Sequence, residues 1–149
     1  MSMERDKSLT YIINHLSRQL TQALNDELKS HGVAPGQFPV LMCLWEQDGL
    51  TQRELYERVK IEQATMSNTL KRMERDCLIY REPDPADRRS MRIHLTGMAK
   101  KLEDKLTQGA KNVNKIAMDG IKKKERKHLL EIMEHMTANL ENAPDNTVK

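Results

Sequence analysis

Two short apolar-striped segments joined by only Lys60, Ile61 and Glu62 constrain this chain more than anything else in it. The stretch is TQRELYERVKIEQATMSNTLKRMERD, Thr51 to Asp76. Thr51 and Glu54 have capping-box spacing: the hydroxyl can accept from the Glu54 backbone N–H, and the carboxylate can reach back to the N–H of Thr51. That starts a helix at Gln52, with Leu55 and Val59 facing inward. The connection that follows is too short for anything but a sharp helix–helix corner. A second helix is expected from Gln63 to about Asp76, with Met66, Leu70 and Met73 in one sector at ~100° per residue.

The opposite sector holds Ala64, Asn68, Lys71, Arg72 and Arg75, flanked by Thr65 and Ser67. It is small and hydrogen-bonding near the N-terminus and cationic further along. A helix in a DNA major groove needs that order, because its first residues meet base edges while downstream cations reach phosphates. Gln63 and Asn68 can pair with adenine edges through their amides, and Ala64 can touch a thymine methyl. Lys71 and Arg72 would set register on the backbone. An amphipathic helix with a solvated polar face explains the same residues taken alone.

The next segment separates the two readings. Met91, Ile93 and Leu95 alternate with Arg92 and His94, the pattern of a half-buried strand, and Leu78 to Glu82 supplies its partner. Pro83-Asp84-Pro85-Ala86-Asp87 is turn chemistry, followed by Arg88 and Arg89 at the tip. An arginine on a narrow hairpin fits the minor groove, and Asp87 can hold a neighbouring guanidinium in place. A solvated charged turn is the plain alternative. Helix, corner, helix and basic ribbon in this order describe a winged helix-turn-helix. The expected fold is mainly α with a small β-wing, its N- and C-terminal helices forming a dimerisation arm.

The stretch LTQRELYERVKIEQATMSNTLKRMERDCLIYREPDPADRRSMRIHLT resembles MarR-type transcriptional regulators, with Asp84-Pro85-x-Asp87-Arg88-Arg89-Ser90 as its sharpest motif. The lead-in Gly36-Gln37-Phe38-Pro39-Val40-Leu41 is similar to the second helix of that family. The resemblance covers nearly the whole chain, but only its centre is motif-specific. It implies an obligate homodimer on palindromic operator DNA, usually a repressor and often released by a small phenolic or other aromatic effector. Two positions depart from the pattern. Asn68 stands where the family often has arginine, which bears on base preference, and Cys77 stands where it usually has glycine.

Charge supports this through placement rather than amount. The net charge is +3, and residues 51–96 carry ten Lys and Arg against eight Asp and Glu. Aromatic residues make up 3%, too few for stacking recognition of single strands. No apolar run approaches the ~20 residues of a membrane span, and no signal-peptide core follows Met1, so a cytoplasmic protein is expected. Cys43 and Cys77 make no disulfide framework. Cys43 reads as a small core residue and Cys77, near Arg75 and Arg81, as the better candidate for a redox-sensing thiol.

Leu9, Ile12, Ile13, Leu16, Leu20, Ala23, Leu24 and Leu28 recur at helical spacing and predict a long first helix ending near Gly32. A shorter helix follows from Pro35 to about Glu46, with Leu41, Leu44 and Trp45 inward. Thr96 can cap a further helix running through Met98, Leu102, Leu106, Ala110, Val113 and Ala117 to about Gly120. A last helix spans about Lys123 to Leu140. Only Met1–Lys7 and Glu141–Lys149 read as frayed ends. These stripes exceed what one small core can cover, and two copies burying them together would resolve the excess. The expected organisation is residues 1–34 and 97–149 as dimerisation helices around a DNA-binding module at 35–96. An effector pocket is expected where the first, second and fifth helices converge, with His15 and Trp45 as candidate contacts.

No Gly-rich phosphate loop, HExxH, Cys/His metal spacing or Ser-His-Asp set is present, so no enzyme, metal or cofactor is expected. The expectation is a sequence-specific double-stranded DNA-binding regulator. Gln63, Ala64, Thr65, Ser67 and Asn68 read bases, Lys71 and Arg72 grip phosphates, and Asp87, Arg88 and Arg89 work in the minor groove. The alternatives are a winged-helix protein-interaction module without DNA binding, and a thiol-based redox-sensing regulator.

Overall fold

A computed structural model describes residues 4–144. The expected fraying at residues 1–3 and 145–149 lies outside the described residues. Within them, Arg5–Lys7 forms a 3-10 turn rather than a loose end, and the last helix continues to Glu141. The chain divides into two compact units, one reaching Val113 and the other starting at Asn114.

In the first unit, α1 (Leu9–Leu28) begins where Ser8 Oγ accepts the Tyr11 N–H. It ends through a 3-10 turn at Gly32, whose φ of 72° is the left-handed conformation glycine adopts without strain. Val33 N–H bonds to Leu28 O and Gly32 N–H to Lys29 O, while the Leu28 and Val33 side chains are both buried. This is a Schellman stop. The stripe of α1 is divided: Leu28 lies in the core, whereas Leu9, Ile12, Ile13 and Leu16 stay exposed.

The second helix is shorter than its sequence pattern suggests. Pro35–Gln37 forms a 3-10 turn, and α2 (Phe38–Glu46) starts after it. Gln37 Oε1 accepts the Ala34 N–H at 3.1 Å and Nε2 donates to Asp76 at 3.1 Å, so its buried amide closes the turn and ties it to the end of a later helix. Trp45 Nε1 donates to the Ala99 carbonyl at 3.1 Å, which lets the indole be half-buried without an orphaned donor.

A two-residue strand, β1 (Leu50–Thr51), precedes α3 (Gln52–Val59), α4 (Gln63–Arg75), β2 (Ile79–Pro83) and β3 (Met91–Leu95). The sheet order is β1-β3-β2, antiparallel throughout, with Leu50 opposite Ile93 and Tyr80 opposite His94. No sequence signal marks β1, because two residues are too few for a period. Leu78, read as part of the first wing strand, instead closes the turn before it. The helix after the wing is broken at Leu102 into α5 (Gly97–Lys101) and α6 (Glu103–Ala117), with Thr96 Oγ1 capping the start as expected.

The core gathers Leu41, Leu44, Leu50, Leu55, Met66, Leu70, Met73, Leu78 and Ile93, all almost fully buried. Truncating one of them, such as Leu70→Ala, removes transfer energy and leaves a cavity, a loss of ~2–5 kcal/mol. In the second unit, α7 (Lys123–Glu141) starts where Glu125 accepts the Lys122 N–H, and Arg126 donates to the carbonyls of Ile121 and Met118. Not one described residue of α7 is buried. No helix among the described residues is long and apolar enough to cross a membrane.

Candidate nucleic-acid interface

Two side-chain contacts and one left-handed backbone corner position α3 and α4. Thr51 Oγ1 accepts the Glu54 N–H at 3.2 Å and starts α3 at Gln52, which is one half of the expected capping box; the return bond from the Thr51 N–H to the Glu54 carboxylate is not made. Lys60 then ends α3 in the left-handed conformation, with its N–H on the Tyr56 carbonyl, which allows α4 to begin three residues later. Arg81 on β2 donates to Glu74 at 2.9 Å and to Gln52 at 3.4 Å, joining the wing, α4 and α3.

Met66, Leu70 and Met73 of α4 are fully buried, as expected. Gln63, Ala64, Thr65, Asn68, Lys71 and Arg72 are exposed, and Ser67 is half-exposed. All seven positions therefore present a single polar surface on one helix. A groove of about 840 Å³ runs between α3 and α4, and Gln63, Ala64 and Ser67 line it together with Gln52, Arg53 and Tyr56.

The wing is a shaped object rather than a loose loop. Asp84, a buried carboxylate, accepts the Ala86 N–H at 3.0 Å and pairs with Arg92 at 3.2 Å. The Ala86 hydrogen bond, with help from Arg92, holds the Asp84 carboxyl below the usual carboxylate range. Arg92 also donates to the Gly49 carbonyl at 2.9 Å, bolting the wing to the residue before β1. On the outer face Tyr80 stacks on His94 across the strands at 5.3 Å. Gly49 has a φ of 74°, and a Cβ there would meet His94 Cε1 at 3.0 Å, so this close approach needs glycine.

At the tip, Asp87 Oδ1 accepts the Arg89 N–H at 3.0 Å and Asp87 O accepts the Ser90 N–H at 3.0 Å. Asp87 thus acts on the backbone of Arg89. Arg88 and Arg89 are exposed beside it, and neither guanidinium has a hydrogen bond or ion pair to a described residue. Sequence reasoning did not find Asp84, Arg92, Arg81 or Gln37 as supports. Asp84 closes a local turn on Ala86, but the other partners are set by tertiary structure: Gln37–Asp76 and Arg92–Gly49 are bonds across 39 and 43 residues.

The two effector candidates differ in setting. His15 is exposed on α1. Trp45 meets Phe38 edge-on at 6.0 Å and already uses its N–H on Ala99. Burial pushes the Cys43 thiol up, away from the reactive thiolate, whereas Cys77 is exposed. Among the described residues no group of three or more His, Cys, Asp or Glu is placed to hold a metal ion.

Known proteins share this arrangement. A sequence profile of the MarR family matches residues 33–91. The organic hydroperoxide resistance transcriptional regulator of Bacillus subtilis is 30% identical over 103 residues, covering 69% of this chain and 70% of that protein. A MarR transcriptional regulator from Methanosarcina mazei Go1 superposes with a TM-score of 0.79 at 28% identity, covering 88% of this chain and 94% of that one. A MarR family regulator from Listeria monocytogenes, solved with 26mer DNA, has a TM-score of 0.81 at 24% identity over 90% of this chain and 89% of its own. That last likeness is one of fold.

Proposed function

The chain belongs to the MarR family of transcriptional regulators, and from that membership we propose that it is a homodimer that binds a palindromic double-stranded operator and represses transcription until a small molecule releases it. The family and the relative above are regulators, not enzymes.

The observation that carries the reading is where the unpaired arginines lie. Arg53, Arg58, Arg75, Arg81, Arg92 and Arg126 are held by protein oxygens, and Arg5 lies over Tyr11. Among the described residues Arg72, Arg88 and Arg89 have no such partner, and only Arg18 on α1 joins them. A guanidinium engaged by its own protein is not free to fork onto a phosphate, and an unengaged one is. Three of these four stand on α4 and at the wing tip.

In this reading Gln63, Ala64, Thr65, Ser67 and Asn68 meet base edges in the major groove. Lys71 and Arg72 grip phosphates. Arg88 or Arg89 enters the minor groove, and Asp87 shapes the backbone that presents it. Residues 35–96 form the reading module and residues 1–34 and 97–149 the dimerisation arms.

Leu9, Ile12 and Leu16 of α1 are 58%, 48% and 45% exposed, and Leu130 and Leu140 of α7 are 53% and 72% exposed. A lone helix with no buried face is marginal in water, so a second copy supplies the cover. The dimer would hold its two reading helices ~34 Å apart, one turn of duplex. A phenolic or other aromatic effector, seated where α1, α2 and α5 converge near His15 or Trp45, would release DNA by favouring a dimer whose reading helices are mis-spaced. Such a regulator works in the cytoplasm, where its operator is.

Gel retardation on the DNA upstream of its own gene tests the proposal. Retardation should weaken steeply with salt, log K falling by ~0.9 for each phosphate contact. A protein that retards no duplex at low salt would instead be a protein-interaction module.

A further inference from the structure

Trp45 is the only tryptophan of the chain. Its Nε1–H reaches from α2 to α5 and donates to the Ala99 carbonyl at 3.1 Å. Ala99 is fully buried, and the same carbonyl accepts the Leu102 N–H at 3.3 Å. A carbonyl oxygen has two lone pairs, so this one is saturated. In an uninterrupted helix it would accept the N–H of Glu103, four residues on. The helix is broken at that point: α5 ends at Lys101, Leu102 lies in a turn, and α6 resumes at Glu103. The Leu106 N–H on Leu102 O, at 2.9 Å, restarts the ladder.

The local sequence gives the break no cause. Met98 to Leu106 contains neither proline nor glycine, and its Ala, Lys, Leu and Glu residues are good helix formers. Helices also break where a side chain inserts into the hydrogen-bond ladder, and the Trp45 indole does so here. The indole is held for this task. Phe38 meets it edge-on at 6.0 Å, and Trp45 and Leu102 both pack against the core.

We propose that Trp45 is a positioning residue for DNA binding: its indole N–H pins open a joint at Leu102 that sets the direction in which α6 leaves the reading module. This rests on the reading of α4 as the groove helix and of residues 97–149 as a dimerisation arm. The joint has two states. With the indole on Ala99, the helix stays broken. With the indole withdrawn, the Glu103 N–H takes the vacated lone pair and α5 and α6 become one helix. Breaks of this kind bend a helix by ~20° or more. α6 has 15 residues, ~22 Å, so its far end would move ~8 Å, more than the ~3.4 Å step of the duplex. A dimer built on the joined helix would present its reading helices at another spacing.

Hydrogen exchange followed by NMR reads the joint, and selection from random-sequence duplex DNA reads the spacing, in wild type and in Trp45→Phe. In wild type the single indole N–H should exchange slowly, and the Glu103 N–H about tenfold faster than the Leu106 N–H. A fast indole N–H, or equal protection of the two amides, would overturn the proposal without any variant. Trp45→Phe keeps a ring and removes the donor, so the Glu103 N–H should slow by about fivefold or more. Loss of packing alone would speed exchange instead. Selection with the variant should return the wild-type half-site with its centres moved by about one base pair or more. A Glu103 N–H that does not slow, or an unchanged spacing, would overturn the joint and leave the reading of α4 standing. Failure of wild type to return an inverted repeat would overturn both. Thermal melts confirm folding, and if the variant melts early the wild-type exchange contrast decides.

Discussion

Cys77 stands in the left-handed conformation with a φ of 60°, immediately after the reading helix. Leu78 N–H bonds to Met73 O at 2.9 Å and Cys77 N–H to Glu74 O at 3.1 Å, with the Leu78 and Met73 side chains both buried. This is the same Schellman stop that ends α1, where the corresponding residue is Gly32. A residue with a Cβ in that conformation costs ~1–2 kcal/mol, whereas glycine adds ~0.5–1 kcal/mol of unfolded-state entropy. The Cys77 side chain offers little in return, since it is exposed and its thiol is 3.9 Å from Arg75 O. Cys77→Gly should therefore stabilise the protein by ~0.5–1 kcal/mol net. For a chain of this length that raises Tm by ~1–4 °C, measured at fixed protein concentration because a dimer's Tm depends on it. Cys77→Ala keeps the strained φ and should match wild type. Cys77→Val, with its branched Cβ, should fall below both. A Gly variant that melts at or below the Ala variant would refute the reasoning.

Other outcomes follow from the same contacts. Asn68→Ala should relax preference at one base pair and weaken the best duplex by ~1–3 kcal/mol, read by selection and anisotropy. Arg89→Ala should weaken binding across sequences and lower the salt slope by ~1. Leu130→Glu alters a side chain that is 53% exposed in one chain, so a monomer would tolerate it. Sedimentation should instead show the dimer dissociating. The folded Asp84 value lies below its unfolded value of ~3.9, so its contribution is complete above that pH and is lost as pH falls through the folded value. Exchange of the Ala86 N–H should accelerate only at that acid end, and Asp84→Asn should abolish the dependence.

The elements with local chemistry were legible in the sequence. Thr51 and Thr96 cap helices where their spacing says, Gly32 stops α1, and Met66, Leu70 and Met73 turn inward as their period requires. The surface of α4 was legible for the same reason, because its outward residues are defined by the buried stripe opposite. What was not legible depends on distant partners. β1 exists only because β3 lies beside it, and the break at Leu102 interrupts an otherwise continuous helical pattern. Arg92 and Arg89 look alike in a basic run. Only the fold shows that Arg92 braces Asp84 and Gly49 while Arg89 is left unpaired.

Selection of binding sites from random-sequence duplex DNA tests the central claim most directly. Two reading helices on one dimer should recover an inverted repeat with half-site centres ~10 base pairs apart. A single unrepeated motif, or no enrichment at all, would contradict it.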